Sequence, residues 1–427
     1  MAKRHSASSA YAASLLQKTL GRIPGYAPTK RTTQNAAARA KAAKEAAHSL
    51  LEDPHQNLHS LKLAASSKHS ITFLKNSEIL RFIPKSNITV HNILLKSPTR
   101  TLSGISPVAL MPLPALCGGH CVYCPRGEGA PQSYTGYEPT TMRAIQNHFS
   151  ARLQIQSRIR QYAAQGHATD KCHLIIMGGT FLYSGIKQGY RHSFMKEAFE
   201  TLNGRGAQGE SARTRPSASA SSLKAAIDAN EFAPHRAIGV TFETRPDFGF
   251  EKEADEMLSM GGTQVEMGVQ ALSDRVYKMA RRGHTVADVV KSTAVLKNSG
   301  FKLCYHMMPG LFSKPSEDIG YFKTLFTSQD FQPDMLKIYP VLVLQGTPLY
   351  NMWKRGDFTP YDTETAAEVI AKATKYIPPY VRIPRIQRDI PVPLIAAGVK
   401  HSNLRQIVDD KLRERGEKWR CIRCREI

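Results

Sequence analysis

Val108-Ala-Leu-Met111-Pro-Leu-Pro-Ala-Leu-Cys117-Gly-Gly-His-Cys121-Val-Tyr-Cys124-Pro-Arg-Gly-Glu-Gly129 is the stretch from which the fold of this chain is read. Its first four residues make a short apolar run that reads as a buried strand, and the loop that follows sets three thiols at C-x3-C-x2-C spacing. Three thiolates can ligate three irons of a 4Fe-4S cluster and leave the fourth iron without a protein ligand, open to chemistry. The alternative is a zinc knuckle or an electron-transfer cluster, and a closed site of either kind needs a fourth ligand. His120, between two of the cysteines, is the residue in the loop that offers one.

Outward from this stretch, apolar runs recur at 174–177, 238–242, 265–269, 303–307, 336–341 and 381–386. Helical periodicity lies between several of them, as in Val286, Val289, Val290, Thr293 and Ala294, or Ala366, Ile370, Ala373 and Ile377. Strand and helix in alternation predict an α/β fold with a parallel sheet. Six or seven such units predict a partial parallel (βα) barrel, open on one side and able to admit a macromolecule. The polar motifs follow the strands, so they are expected at the carboxyl ends, where such barrels build their sites.

The chain's 427 residues suffice for one barrel-sized domain with accessory segments. No apolar run approaches the roughly 20 residues of a membrane span, so no membrane role is expected. A formal charge of +23 favours a polyanion, nucleic acid first, because Lys and Arg that neutralise phosphates release counterions. Seven cysteines, five of them in the clusters 117, 121, 124 and 421, 424, do not form a disulfide framework and fit metal ligation in a reducing compartment. Residues 1–44 carry nine Lys or Arg before the first acid, Glu45, and read as a basic arm for RNA or as an organellar transit peptide. The cytoplasm is the expected location and import the alternative. A basic helix is predicted over 36–51 and a helical segment broken at Pro84 over 76–96. The domain reading is a basic N-terminal arm at 1–75, a core at 76–400 with a mobile Gly/Ser/Ala/Arg-rich insertion at 205–222, and a C-terminal segment at 401–427.

The cysteine loop resembles that of the radical S-adenosylmethionine (SAM) enzymes, which implies SAM on the open iron and its one-electron cleavage to a 5'-deoxyadenosyl radical. Candidate SAM-binding groups follow the strands. Gly178, Gly179 and Thr180 close the second run, where two glycines let a ligand approach the backbone; many such enzymes carry a Glu after these glycines, and this chain has Thr180. Glu243 follows the third run, and Glu266 and Gln270 flank the fourth, placed to hydrogen-bond ribose or the methionine end of SAM. The structural alternative pairs these acids with Arg245, Arg281 or Arg282, and His284 reads as structural. Alternation sends Lys337 and Tyr339 to one face, and Arg385 and Gln387 to a common face; toward the lumen, these four would bind substrate phosphate or base. Cys421 and Cys424 form half a zinc site, with His401 a possible third ligand.

A longer series occurs in order: Asn76-Ser-Glu-Ile-Leu80, Arg100-Thr-Leu-Ser-Gly-Ile-Ser-Pro107, the cysteine loop, Gln132-Ser-Tyr-Thr-Gly-Tyr-Glu-Pro-Thr-Thr-Met-Arg143, Ile176-Met-Gly-Gly-Thr-Phe181, Phe242-Glu-Thr-Arg-Pro-Asp247, Glu266-Met-Gly-Val-Gln270, Arg282-Gly-His-Thr285, His306-Met-Met-Pro309, Leu336-Lys-Ile-Tyr-Pro340 and Arg388-Asp-Ile-Pro391. This series resembles the catalytic subunit of Elongator and its stand-alone archaeal and bacterial relatives, from about residue 76 onward. The resemblance implies an enzyme that forms 5-carboxymethyluridine at the wobble position of tRNA, using a 4Fe-4S cluster, SAM and acetyl-CoA. It further implies an electron donor and other Elongator-type subunits as partners. The family continues past its C-R-E segment into an acetyltransferase-type domain, whereas this sequence ends at Ile427, so that domain is expected to be lost or supplied by a separate acetyl-CoA-binding chain. A further Cys is often found in the family where Trp419 stands, which weakens the zinc reading. Two other functions compete: a tRNA-binding relative without full activity, and a radical SAM oxidoreductase acting on a small molecule. The charge and the Gln132 to Arg143 stretch speak against the second.

Overall fold

The computed structural model describes residues 36–183, 185–204 and 220–426. Residues 1–35 of the basic arm and most of the 205–222 insertion therefore lie outside the described residues. Seven strands form one parallel sheet: β1 (Ser106–Leu110), β2 (Lys171–Ile176), β3 (Arg236–Thr244), β4 (Gln264–Gln270), β5 (Lys302–Met307), β6 (Met335–Ile338) and β8 (Arg382–Ile386), in that spatial order. A separate antiparallel pair joins β7 (Val343–Leu344) to β9 (Ile395–Ala397). Each apolar run expected as a strand lies on one. Among the described residues no strand joins β1 to β8, so the curled sheet is a half-barrel with an open side.

The alternation that makes these segments strands also divides their side chains. Val108 and Leu110, or Leu174 and Ile176, point into a layer packed by crossover helices such as Ala151–Ala164, Gln188–Leu202 and Val286–Asn298. The last of these is started by a reciprocal cap between Thr285 and Asp288. The opposite face of β3, β4, β5, β6 and β8 turns polar residues such as Glu243, Glu266, His306, Lys337 and Arg385 to the lumen.

Helices Ala36–Glu52, Leu58–Lys68, Asn76–Ile79 and Ile88–Leu94 build a second, smaller core. The stripe Ala42, Ala43, Ala46, Ala47 and Leu50 is small enough to let the neighbouring helices approach closely. Arg39 holds Glu78 through two parallel bonds of 2.6 and 2.7 Å. Segment 76–94 packs its buried Ile79, Leu80, Ile83, Val90 and Leu94 with the N-terminal helices. This helical layer docks through Lys96, whose carbonyl meets His167 Nε2 at 2.8 Å, and through Thr101, 2.7 Å from His167 Nδ1. No helix among the described residues is long and apolar enough to cross a membrane.

Candidate functional site

The cysteine loop leaves the carboxyl end of β1 and is pinned from two directions. The Gln132 amide clamps it, its Oε1 accepting from Cys117 N–H and its Nε2 donating to Gly119 C=O, both at 2.9 Å. Val122 N–H donates to Ala280 C=O at 3.1 Å. A Cβ on Gly119 would lie 2.3 Å from Arg245 Nη1 and 3.4 Å from Cys117 Sγ, so a larger residue there would displace the Arg245 guanidinium. Cys117, Cys121 and Cys124 are buried, unbridged and open on one cavity. His120 is exposed and absent from that cavity's lining, which removes the fourth ligand of the closed-site reading.

Two of the three loop sulfurs have a polar neighbour. Arg282 Nη1 lies 3.5 Å from Cys121 Sγ and 2.9 Å from Tyr123 OH, and Ser133 Oγ lies 3.2 Å from Cys124 Sγ. Burial pushes the Cys124 thiol up, and Ser133 partly offsets this. Four-coordinate zinc with Zn–S bonds of about 2.3 Å would draw its sulfurs to within about 4 Å of one another. Among the described residues the three cysteine sulfurs are not gathered within 4.8 Å of one another. Several buried polar atoms on the cavity wall have no partner: Thr180 Oγ1, Gln270 Oε1, Arg245 Nη1 and Arg282 Nε. Unmet hydrogen-bonding groups beside three free thiols fit a bound cluster with a polar cofactor on it.

Strand register builds the rest of the lumen. Glu243 on β3 stands level with Glu266 on β4, and Glu266 with Cys304 on β5. Two residues on, His306 is level with Lys337 on β6, and Lys337 with Arg385 on β8. These side chains therefore share one face. Glu266 accepts from Lys337 Nζ and lies 3.1 Å from His306 Nε2. Burial works to raise the Glu266 carboxyl, but Lys337 and His306 outweigh it and hold the carboxyl well below the usual range. Burial likewise opposes the charge on Lys337, and Glu266 keeps it firmly protonated. Burial pushes the Tyr339 phenol up to about 12, despite Lys337 and Arg385 nearby. Glu243 accepts from Tyr134 OH at 2.8 Å, and the Arg388 guanidinium stacks on the Tyr134 ring at 5.4 Å while donating to Ser133 C=O.

Of the residues expected to bind SAM, Gly179, Thr180, Glu243, Glu266 and Gln270 line the cavity with the cysteines. Gly178 does not; at φ +124° it turns the chain, and a Cβ on it would press Pro112. Lys337, Tyr339 and Arg385 also reach the cavity, but Gln387 does not. It lies just beyond β8 at φ +76°, where strand alternation has ended, so it does not follow Arg385. The acids are not paired with Arg245 or Arg282. Arg245 binds Asp247 at 2.7 Å and Arg282 C=O at 2.9 Å, while Arg282 turns to Gly268 C=O and the cysteine loop. His284 packs over Tyr277 at 4.4 Å, buried with both ring nitrogens unpartnered. His401 is exposed and bonds Thr363 Oγ1 at 3.0 Å; it is not gathered with Cys421 and Cys424 within 4.8 Å. Those two thiols sit against β8, where Arg405 Nη1 is 3.4 Å from Cys424 Sγ and Ile422 N–H bonds Val381 C=O. Sequence reasoning gave no role to Tyr134, Arg388, Cys304 or His306. The i, i+2 spacing of Cys304 and His306 was the available signal for a shared face.

A half-barrel with three free cysteines on the loop after its first strand defines a radical SAM protein, a class built around a 4Fe-4S cluster and SAM. The sequence pattern of the Radical SAM superfamily matches residues 111–323, and that of the Radical SAM C-terminal domain matches residues 333–414. The chain is 46% identical over 360 residues to the tRNA uridine(34) acetyltransferase of Methanocaldococcus infernus, covering 82% of this chain and 65% of that relative. It is 38% identical over 416 residues to Elongator complex protein 3 of Schizosaccharomyces pombe, covering 93% of this chain and 74% of that protein. A solved structure of the archaeal Methanocaldococcus infernus Elp3 with an N-terminal deletion superposes with a TM-score of 0.63 at 41% identity, covering 75% of this chain and 65% of that one. The chain belongs to the family of Elongator complex protein 3 and the tRNA uridine(34) acetyltransferases. It spans just under two thirds of the length of the methanogen relative.

Proposed function

We propose that this chain is the radical-generating part of an enzyme that modifies uridine 34 of tRNA, forming 5-carboxymethyluridine from tRNA, SAM and acetyl-CoA. The observation that supports this most directly is that the three cluster cysteines and the Glu243–Glu266–Lys337–Arg385 row open on one cavity in a barrel with an open side. When bound, the cluster supplies the electron that cleaves SAM to a 5'-deoxyadenosyl radical. Cys117, Cys121 and Cys124 hold three irons. Gly179, Thr180, Glu243 and Gln270 orient SAM, with Thr180 Oγ1 and Gln270 Oε1 offering unspent hydrogen bonds. Lys337 and Tyr339 keep their protons across the physiological range and serve as donors toward a uracil carbonyl or an acyl oxygen. The open side admits a flipped nucleotide. The basic N-terminal arm and a charge of +23 hold the tRNA. All seven cysteines are free, which supports a reducing, cytoplasmic setting, with an electron donor and Elongator-type subunits as partners. A zinc at Cys421 and Cys424 would need ligands other than His401.

The test is an anaerobic turnover with reductant, SAM and tRNA, with and without acetyl-CoA, followed for 5'-deoxyadenosine and for the modified nucleoside. Iron at about four per chain and 5'-deoxyadenosine formation are expected. Both should be lost in Cys121→Ala. Wobble modification that survives Cys121→Ala would remove the radical mechanism.

A further inference from the structure

Behind the cavity wall, three arginines converge without an acid. Arg143 lies on helix Pro139–Gln146, whose first residues Pro139 and Thr140 line the cavity, and its Nη2 donates to Thr140 Oγ1 at 3.1 Å. Arg158, on helix Ala151–Ala164, stacks on the Tyr162 ring at 4.1 Å, donates to Tyr162 OH and Gln161 Oε1 at 2.6 Å each, and leaves its buried Nε unpartnered. Arg100 sits on the turn Pro98–Thr101, tied through Thr101 to His167, whose ring meets the edge of Tyr162 at 5.5 Å. All three charges bear on Tyr162. No ion pair to a carboxylate is made by any of them among the described residues.

Arg158 is buried, Arg143 half-buried and Arg100 exposed, and like charges of which two are withdrawn from solvent without a counter-ion cost stability unless an anion is present for part of the working cycle. Burial first, then Arg158 and Arg100, pull the Arg143 guanidinium down to about 10, the direction expected where positive charge is uncompensated. The neutral partners already present, a threonine, a glutamine and a tyrosine, orient the guanidinium groups without discharging them. The place is also informative. Thr140 and Arg143 are three residues apart on one helix, about 4.5 Å along its axis, so Arg143 stands one turn behind the cavity rim.

We propose that Arg143 and Arg100, backed by the buried charge of Arg158, bind one backbone phosphate of the RNA strand whose nucleotide enters the cavity. The proposal rests on tRNA being the substrate. Arg143 is the principal contact, since Arg158 spends its donors on Tyr162 and Gln161 and acts mainly as a buried charge. A phosphate held here would fix the strand relative to the cavity mouth without reading sequence.

The experiment measures tRNA affinity of the full, anaerobically reconstituted chain at salt concentrations between 50 and 200 mM. Each phosphate contact contributes a slope of about 0.7 to 0.9 in log K against log salt. Arg143→Gln and Arg100→Gln should each bind tRNA several-fold more weakly at low salt. Their deficit should shrink by about threefold across that range as one contact's slope is lost. Arg143→Lys should keep the slope. Iron content and far-ultraviolet circular dichroism confirm that each variant is folded. A folded Arg143→Gln chain with wild-type affinity and slope overturns the site. Coenzyme A that displaces tRNA from the wild type, but not from Arg143→Gln, assigns the anion to the coenzyme and overturns the RNA assignment. A wild-type chain without salt-dependent tRNA affinity overturns the tRNA reading itself, an outcome distinct from either.

Discussion

Arg282 shows how one side chain can serve both the loop and its electrons. It is buried, donates to Gly268 C=O and Tyr123 OH, and places its charge 3.5 Å from Cys121 Sγ. Burial opposes that charge, yet Tyr123 and Cys121 raise the guanidinium above its ordinary value, so it stays charged. A fixed cation stabilises the more negative, reduced form of a cluster. Arg282→Gln should therefore lower the reduction potential in an EPR-monitored titration. A tenfold loss in the one-electron equilibrium corresponds to about 59 mV. An unchanged potential would assign Arg282 to packing alone. Gly127 tests the loop's shape. A Cβ there would stand 2.3 Å from Thr135 C=O, a backbone atom that cannot swing away. Gly127→Ala should leave iron well below four per chain, and full loading would show that the turn can shift. Sequence marked the three cysteines at once, because their spacing is local. Arg282 was weighed only as a partner of the acids, since its approach to a cysteine 161 residues away exists only in the fold.

Glu266, Lys337 and His306 come from three adjacent strands, and what joins them is register. A parallel ladder brings β4, β5 and β6 level, so that a carboxylate, an imidazole and an ammonium meet on the lumen face, the carboxylate buried. Such a pair adds little net stability when intact, but removing one partner strands a buried charge at a cost of about 3–5 kcal/mol. Lys337→Met should destabilise the chain by that amount in urea unfolding. Adding Glu266→Gln to it should restore much of the loss, because the stranded carboxylate is gone. A Lys337→Met chain within about 0.5 kcal/mol of wild type would contradict the burial of this pair. Gln387 marks the other side of the same lesson. Period-two alternation carries Arg385 to the lumen, yet the strand stops at Ile386, and the next residue obeys the loop instead.

At the scale of the whole molecule, the half-barrel is held across its open side by Arg388, which reaches from beyond β8 to Ser133 and Tyr134 after β1. Its core also sets a pH limit. Burial, with Arg282 and Arg245 adding to it, holds His284 down to about 2, so the folded chain keeps this imidazole neutral. An unfolded histidine titrates near 6.5. Below that pH the unfolded chain binds a proton that the folded chain refuses, so stability present above 6.5 falls by about 1.4 kcal/mol per pH unit as the solution is acidified. His284→Gln should flatten the drop in unfolding midpoint between pH 6.5 and 5. An equally steep drop would place the acid sensitivity elsewhere.

Sequence by itself determined the seven strands, their alternation with helices, the thiol loop and the basic balance, because each is written in neighbouring residues: a period of two or 3.6, a spacing of cysteines, a sum of charges. Only the tertiary structure decided that segment 76–94 packs with the N-terminal helices, that Glu266 pairs with Lys337 rather than with an arginine, and that Arg158 stacks on Tyr162 where the His167 ring also meets it. The physical reason is common to all three. Periodicity states which face a side chain takes, but the partner it meets there depends on sheet register and on the crossover that brings a distant segment alongside.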